Sequence, residues 1–386
     1  MMKKSKEDVS GAWYACAGLE QDIVVATRAT LSRNLANFPF PDKLNDSESE
    51  RIQSIVFDAF NFLKNAEDFQ AISVCKLDGI GNKIMHERGI LFDSKGKKTG
   101  LVLRNDGKIS CTVNADDHLK ISSFIPGLGI EAASNSVYEI DNELQKRIQF
   151  AASYEFGYLT YSVLNSGSGL SVVVKLHLPA CSLLGSIDSI VKNISGDGFN
   201  LLACYGSGGG NALSGFGTKG TSLGGYYIVV PKSSAGGSEF DQIASIQCAV
   251  QNILKEERAA RKTCKAQHIT EISNYALRSL ALAKSSFFIS LREAIDIISG
   301  VKFGKDIGVF CGIEDSDLHA LLYRVQEGHL EYVLDNGKFK FEKDMYFNLK
   351  DMSEEEYKKA INFDNVDLVI VMGTTAGKYF AENETK

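Results

Sequence analysis

Residues 167–179, GSGLSVVVKLHLP, run a glycine-rich turn straight into an apolar strand. That arrangement is expected of a backbone that cradles an anion with its own N–H groups. The strand, however, opens with Ser171, where a phosphate-handling chain would place a cation. Whether an anion site was built here, and whether its charge survives, has to be read from the rest of the chain.

Upstream, DIVVATRATLSRNLANFPF (22–40) reads as a short strand entering a polar, proline-stopped segment. Residues 47–66 carry apolar positions at helical spacing behind a serine and acidic start. The strands KTGLVLRND and GKISCTVNADD follow, with Asp106-Gly107 marking a hairpin between them. Residues 134–153 read as an amphipathic helix, and GYLTYSV leads to the opening strand. A helix near 181–195 and the strand FNLLACYG come next. Glycine is then dense from 206 to 237, an interval with one short strand, YYIVV, that reads as a surface loop or a lid. A long helix covers 240–265, and helical patterns follow at 271–286, from Ser290 and from Asp315. The tail after Asn336 is mixed and includes VDLVIVMG. Helices around consecutive antiparallel strands make the fold class α+β, with a first domain over 11–265 and a mostly helical one over 266–386.

Composition narrows the function. The 386 residues carry 42 Lys and Arg against 48 Asp and Glu, a formal charge of −6, which disfavours nucleic acid. No apolar run reaches the roughly 18 residues of a membrane span, and MMKKSKEDVS lacks the apolar core of a secretory signal. The expected setting is cytoplasmic, with the eight cysteines as free, mostly buried thiols. There is no CxxC pair and the histidines lack ligand spacing, so no metal site is expected. GFGTKGT and SGVKFGKD both miss the spacing of a Walker phosphate loop.

Four segments in this order resemble the ATP:guanidino phosphotransferases, specifically the bacterial protein-arginine kinases of the McsB type. They are TRATLSRNLANFPFP (27–41), NADDHLKISSFIPGL (114–128), GYLTYSVLNSGSGLSVVVKLHLPA (157–180) and EERAARK (256–262). The resemblance implies a catalytic domain with an antiparallel sheet flanked by helices, and transfer of a phosphoryl group from Mg-ATP to a guanidinium. Such chemistry rests on positioning and electrostatic stabilisation, with forked arginines on the phosphates and carboxylates on the guanidinium.

Carried over residue by residue, the resemblance implies a site whose charge has been thinned. Of the first arginine pair, Arg28 stands and the second position is Thr30. The catalytic glutamate falls on Asp116 and a phosphate arginine on Lys120, with Asp117 and His118 kept between them. The cysteine position is Ser162, its proline neighbour is Val163, and Asn165 is kept. Further clamp arginines fall on Ser171 and Leu202, and the second glutamate on Ser207. Tyr357-Lys358 stand where the relatives' phosphoarginine-reading Arg-Asp pair would fall. Arg88, Arg104, Lys175 and Lys219 are cations that could compensate. On residue chemistry alone, Arg28 also reads as an ion-pair partner and Asp116-Asp117-His118 as a turn capping backbone amides. His177 reads as a core histidine. The favoured expectation is a catalytically impaired pseudokinase acting through a protein partner or kinase subunit, with homo-oligomers open. A working kinase with an altered site, and a nucleotide or phosphate sensor without turnover, remain as alternatives.

Overall fold

The computed structural model describes residues 12–91, 98–206, 222–286 and 289–336. Ten strands occur among them: β1 (Val24–Arg33), β2 (Phe69–Ser73), β3 (Gly100–Arg104), β4 (Ile109–Val113), β5 (Leu119–Pro126), β6 (Ala152–Ser153), β7 (Gly157–Tyr158), β8 (Leu170–His177), β9 (Phe199–Ala203) and β10 (Tyr226–Pro231). Eight form one antiparallel sheet in the order β2-β3-β4-β5-β1-β8-β10-β9, and β6 and β7 form a separate hairpin.

β1 is the centre of this sheet and is not the short strand expected. It pairs with β5 from Ala26 to Arg33 and with β8 from Val24 to Leu31. Its threonines and serine read in sequence as the polar segment after a short strand, but ladder hydrogen bonds on both sides hold them extended. The Asp106-Gly107 turn joins β3 to β4 as expected, with Gly107 at φ +69.

The α-helices among the described residues are α1 (Asp46–Phe60), α2 (Gly79–Glu87), α3 (Ile130–Leu144), α4 (Pro179–Leu183), α5 (Ile187–Gly196), α6 (Glu239–Gln267), α7 (Ile269–Ser285), α8 (Leu291–Ile307), α9 (Asp315–Arg324) and α10 (Glu327–Asn336). Asn45 and Glu48 close a capping box that starts α1, which ends at Phe60 and not at residue 66. α3 starts at Ile130, four residues ahead of the expected start, because Thr27 fixes the turn before it. The Thr27 hydroxyl donates to Gly127 O at 2.7 Å and accepts from Gly129 N at 3.1 Å. The helix expected over 181–195 is two, parted at Gly185 with φ +70. The pattern from Asp315 is likewise split into α9 and α10, around the buried Val325. β2 and α2 gave no readable pattern: the first is a half-exposed edge strand and the second contains two glycines.

One face of the sheet is covered by α3 and α6, whose apolar residues join Ala29, Leu31, Val172, Val174 and Leu176 in the main core. In α6 the buried Ile246, Ala249, Val250, Ile253, Leu254, Ala260 and Cys264 recur at helical spacing. The charged end of α6 works as a rivet. Glu257, fully buried, accepts from Ala180 N and Cys181 N at the start of α4 and from Arg261 Nε. Arg261 reaches Asp22 O at 2.9 Å and Asp306 of α8 at 3.2 Å.

Arg33, fully buried at the end of β1, donates to Asp141 of α3 at 2.9 Å and to Ser168 O at 2.8 Å. Its guanidinium also lies 3.6 Å over the Tyr158 ring. Removing one partner of a buried ion pair strands a charge and costs about 3–5 kcal/mol. Arg33→Met should lower unfolding stability by that order in urea titration, and Arg33→Met/Asp141→Leu should lower it less.

Candidate functional site

Strand pairing brings the positions singled out in sequence onto one face. Thr30 stands opposite Ser171 on β8 and Ser122 on β5, Arg28 opposite Val173 and Phe124, and Ser32 opposite Lys120. Directly paired residues point the same way and alternate residues share a face, so Arg28, Thr30, Lys120 and Ser171 are together. Leu202 of β9 opposes Ile228 of β10, which opposes Lys175 of β8, so Leu202 belongs to the same face at its far edge. Ser207, Lys219 and the Tyr357-Lys358 pair lie outside the described residues, as do most of the glycine-dense interval and the mixed tail.

The charge on this face is spent locally. Arg28 donates to Gly89 O at 3.2 Å, at the end of α2, and burial lowers its pKa from the ordinary value. The Thr30 hydroxyl sits 3.0 Å from that of Ser122. Lys120 donates to the Asp116 carboxylate at 2.6 Å, so one of the two cations at expected phosphate positions is paired with the acid at the expected catalytic position. Leu202, at the position the resemblance assigns to a clamp arginine, presents an apolar side chain, 47% exposed. Ser162 begins a short 3-10 turn, and its carbonyl accepts from the Thr160 hydroxyl at 2.7 Å.

Asp117 and His118 serve the frame. Asp117 Oδ1 accepts from Asn34 Nδ2 at 2.8 Å and from Tyr161 N at 2.7 Å, which fastens the Ser162 turn to the β4–β5 hairpin. Leu35 N donates to His118 Nδ1 at 3.0 Å, so Nε2 carries the proton and donates to Pro39 O at 2.9 Å. Both ring nitrogens are thus committed to backbone, and burial lowers the pKa of His118 to about 4. His118, expected among the phosphate-binding positions, instead clamps residues 35–39. Sequence reading missed Asn34, which also accepts from His118 N at 2.9 Å and completes this polar hub. The RNLANFPFP segment that contains Asn34 was the available signal.

Of the cations that could compensate, those among the described residues are engaged by neighbours. Arg104 forks onto Asp106 at 2.8 and 2.9 Å, and Arg88 lies 5.5 Å over Tyr14. Lys175 shares the site face but is half-buried. It donates to the Tyr205 hydroxyl at 2.8 Å and lies 5.2 Å over the Tyr323 ring of α9. Helices α8 and α9 cover this end of the face, with Tyr323 stacked on Tyr14 and Trp13 stacked on Phe124. His177 Nε2 donates to Ser299 of α8 at 2.9 Å, since the Ser299 proton goes to Gly224 O. His177 Nδ1 and both nitrogens of His319 have no hydrogen-bond partner among the described residues.

A family model, "ATP:guanido phosphotransferase, C-terminal catalytic domain", matches residues 51–260. The chain belongs to this family. The protein-arginine kinase of Syntrophomonas wolfei is 28% identical over 318 residues, 81% of this chain and 86% of that one. That of Halothermothrix orenii is 28% identical over 322 residues, 83% and 89% of the two chains. Among solved structures, the lombricine kinase gives a TM-score of 0.53 at 15% identity over 66% of this chain and 70% of that chain. The duplicated taurocyamine kinase of Schistosoma mansoni gives 0.53 at 19% over 63% of this chain and 34% of its own. The α+β guanidino-kinase architecture is therefore the fold, and the protein-arginine-kinase branch is where the chain sits.

All eight cysteines are free; Cys111, Cys181 and Cys264 are buried, whereas Cys75, Cys248 and Cys311 are exposed, contrary to the mostly buried set expected. Among the described residues no cluster could hold a metal ion, and no helix is long and apolar enough to cross a membrane.

The buried histidines set a pH dependence. His118, His177 and His319 all have folded pKa values below the ordinary 6.5, through desolvation first. The unfolded chain therefore takes up their protons first. Their contribution is whole above about pH 6.5 and is lost as pH falls towards the folded values. In that window each histidine that is neutral when folded and protonated when unfolded adds to the loss of stability. Urea midpoints should fall between pH 6.5 and 4.5, less steeply in His118→Asn.

Proposed function

We propose that this family member keeps the guanidino-kinase scaffold without efficient phosphoryl transfer and acts in the cytoplasm through a protein partner, such as an active kinase subunit or a regulatory adaptor. One observation carries the reading: on the shared face, Thr30, Ser171 and Leu202 are neutral, while Lys120 and Asp116 satisfy each other. A hydrogen bond to a charged group contributes about 1.5–3 kcal/mol, so three lost forks remove about 5–9 kcal/mol of phosphate stabilisation, less than additively. The shorter Asp116, held by Lys120, is also poorly disposed to accept a guanidinium proton, a role that contributes about 10²–10⁴ in rate. These residues do not fit the triphosphate of a magnesium nucleotide well.

The decisive assay offers Mg-ATP with free arginine or an arginine-rich unfolded protein, and reads the acid-labile N–P bond by phosphorus NMR. The expected result is no signal above that of Asp116→Ala. A signal that Asp116→Ala abolishes overturns the proposal in favour of a working kinase with an altered site.

Arg28 and Lys120 on the same face support a second reading, a sensor that binds Mg-ATP without turnover. Calorimetry separates the two, since nucleotide binding without transfer favours the sensor. In the same measurement, Thr30→Arg/Ser171→Arg/Leu202→Arg should tighten Mg-ATP by at least about tenfold. Unchanged affinity would show that the lost forks are not what weakens the site.

A further inference from the structure

Behind the sheet, on the face opposite Arg28, Thr30 and Ser171, a cleft of about 530 Å³ opens between the first turns of α6 and one end of β8, β9 and β10. Leu170 and Val172 alternate with Ser171 along β8, so they point to this second face. With Phe199 and Ile246, which also belong to the main core, they form an apolar floor. Clefts of this size, with an apolar body and a few polar groups, are where small molecules bind.

The walls are fixed by the protein's own hydrogen bonds. Lys232 N donates to Gly198 O at 2.9 Å and ties the end of β10 to the start of β9. Gln242 of α6 donates to Ser234 O at 2.9 Å and to Gly236 O at 3.0 Å, and accepts from Ser168 Oγ at 2.8 Å. The loop 232–237 is thereby joined to the helix and, through Gln242, to the glycine turn of β8. A preformed cleft binds with little ordering cost.

The charges at the mouth are not equally engaged. Asp241 caps α6, where its Oδ2 accepts from Ser238 N and Ser238 Oγ. Lys232 donates to Ser195 O and to Ser195 Oγ, both at 2.7 Å. The exposed Asp197 carboxylate, at the end of α5, has no hydrogen bond or ion pair among the described residues. Two carboxylates against one engaged ammonium leave the mouth negative. An ionised carboxylate only accepts, so at the edge of an apolar cleft it selects a cationic donor on an apolar body.

We propose that this cleft binds a small apolar molecule carrying a protonated amine, with its body on the floor of Leu170, Val172, Phe199 and Ile246 and its ammonium at Asp197. The cleft lies across the sheet from Arg28 and Lys120, and its use does not depend on whether the chain transfers phosphoryl groups.

The test is a saturation-transfer NMR titration of the full chain with tryptamine at low salt. Indole-3-propionate keeps the ring and reverses the charge, whereas ethylamine keeps the charge without the ring. Tryptamine should bind with a Kd of about 1 mM or tighter, and each control about tenfold or more weaker. Asp197→Asn should weaken tryptamine by about fivefold, and added salt should narrow the gap between variant and wild type. Ser245→Phe, which fills the cleft from an exposed position on α6, should abolish binding. Should that variant melt early by circular dichroism, Asp197→Asn carries the comparison. No binding to the wild type, unchanged binding in either folded variant, or equal binding of indole-3-propionate each overturns the proposal.

Discussion

The buried guanidinium of Arg33 is the constraint on which the site's geometry depends. It joins the end of the central strand to Asp141 of α3, to the Ser168 carbonyl in the glycine turn and to the Tyr158 ring. That turn is also crowded. A Cβ on Gly169, at φ +66, would meet Ser32 O at 2.6 Å and the Arg33 guanidinium at 2.7 Å. A side chain there would push the turn off the ion pair. The register that sets Thr30 beside Ser171 follows from this close approach.

Around that fixed register the protein uses its charges on itself. Glu257, Arg258 and Arg261 tie α6 to α4, to the chain around Asp22 and, through Asp306, to α8. Lys302 is fully buried and reaches Asp306, Asp315 and the Gln21 carbonyl. Buried charges are tolerated when paired and hydrogen-bonded in this way. The helical layer is thereby held against the end of the face that bears Lys175 and His177, and α9 supplies the Tyr323 ring that covers Lys175. The scaffold thus pairs its interior charges with one another, whereas Thr30, Ser171 and Leu202 on the shared face carry none.

Much of the fold was legible. The hairpin at Asp106-Gly107 and the long α6 follow from turn chemistry and helical spacing, both of which are local. The reading failed where tertiary partners decide. β1 is ten residues long because strands on both sides hold its polar positions extended, and α3 starts early because Thr27, far away in sequence, fixes its first turn. Breaks at Gly185 and near Val325 divide helices that periodicity alone reads as continuous.

For the site, the sequence by itself determined which side chains are present: Arg28, Thr30, Asp116, Lys120, Ser162, Ser171 and Leu202 are chemical facts before any folding. It also determined the family, through segments whose order and spacing carry the match. Only the tertiary structure decided how those groups are used. Pairing register puts them on one face, and proximity then joins Lys120 to Asp116, turns His118 inward to backbone and sets Lys175 against the Tyr323 ring. Charge is a property of a residue, whereas whether that charge is available depends on what the fold places within hydrogen-bonding distance of it.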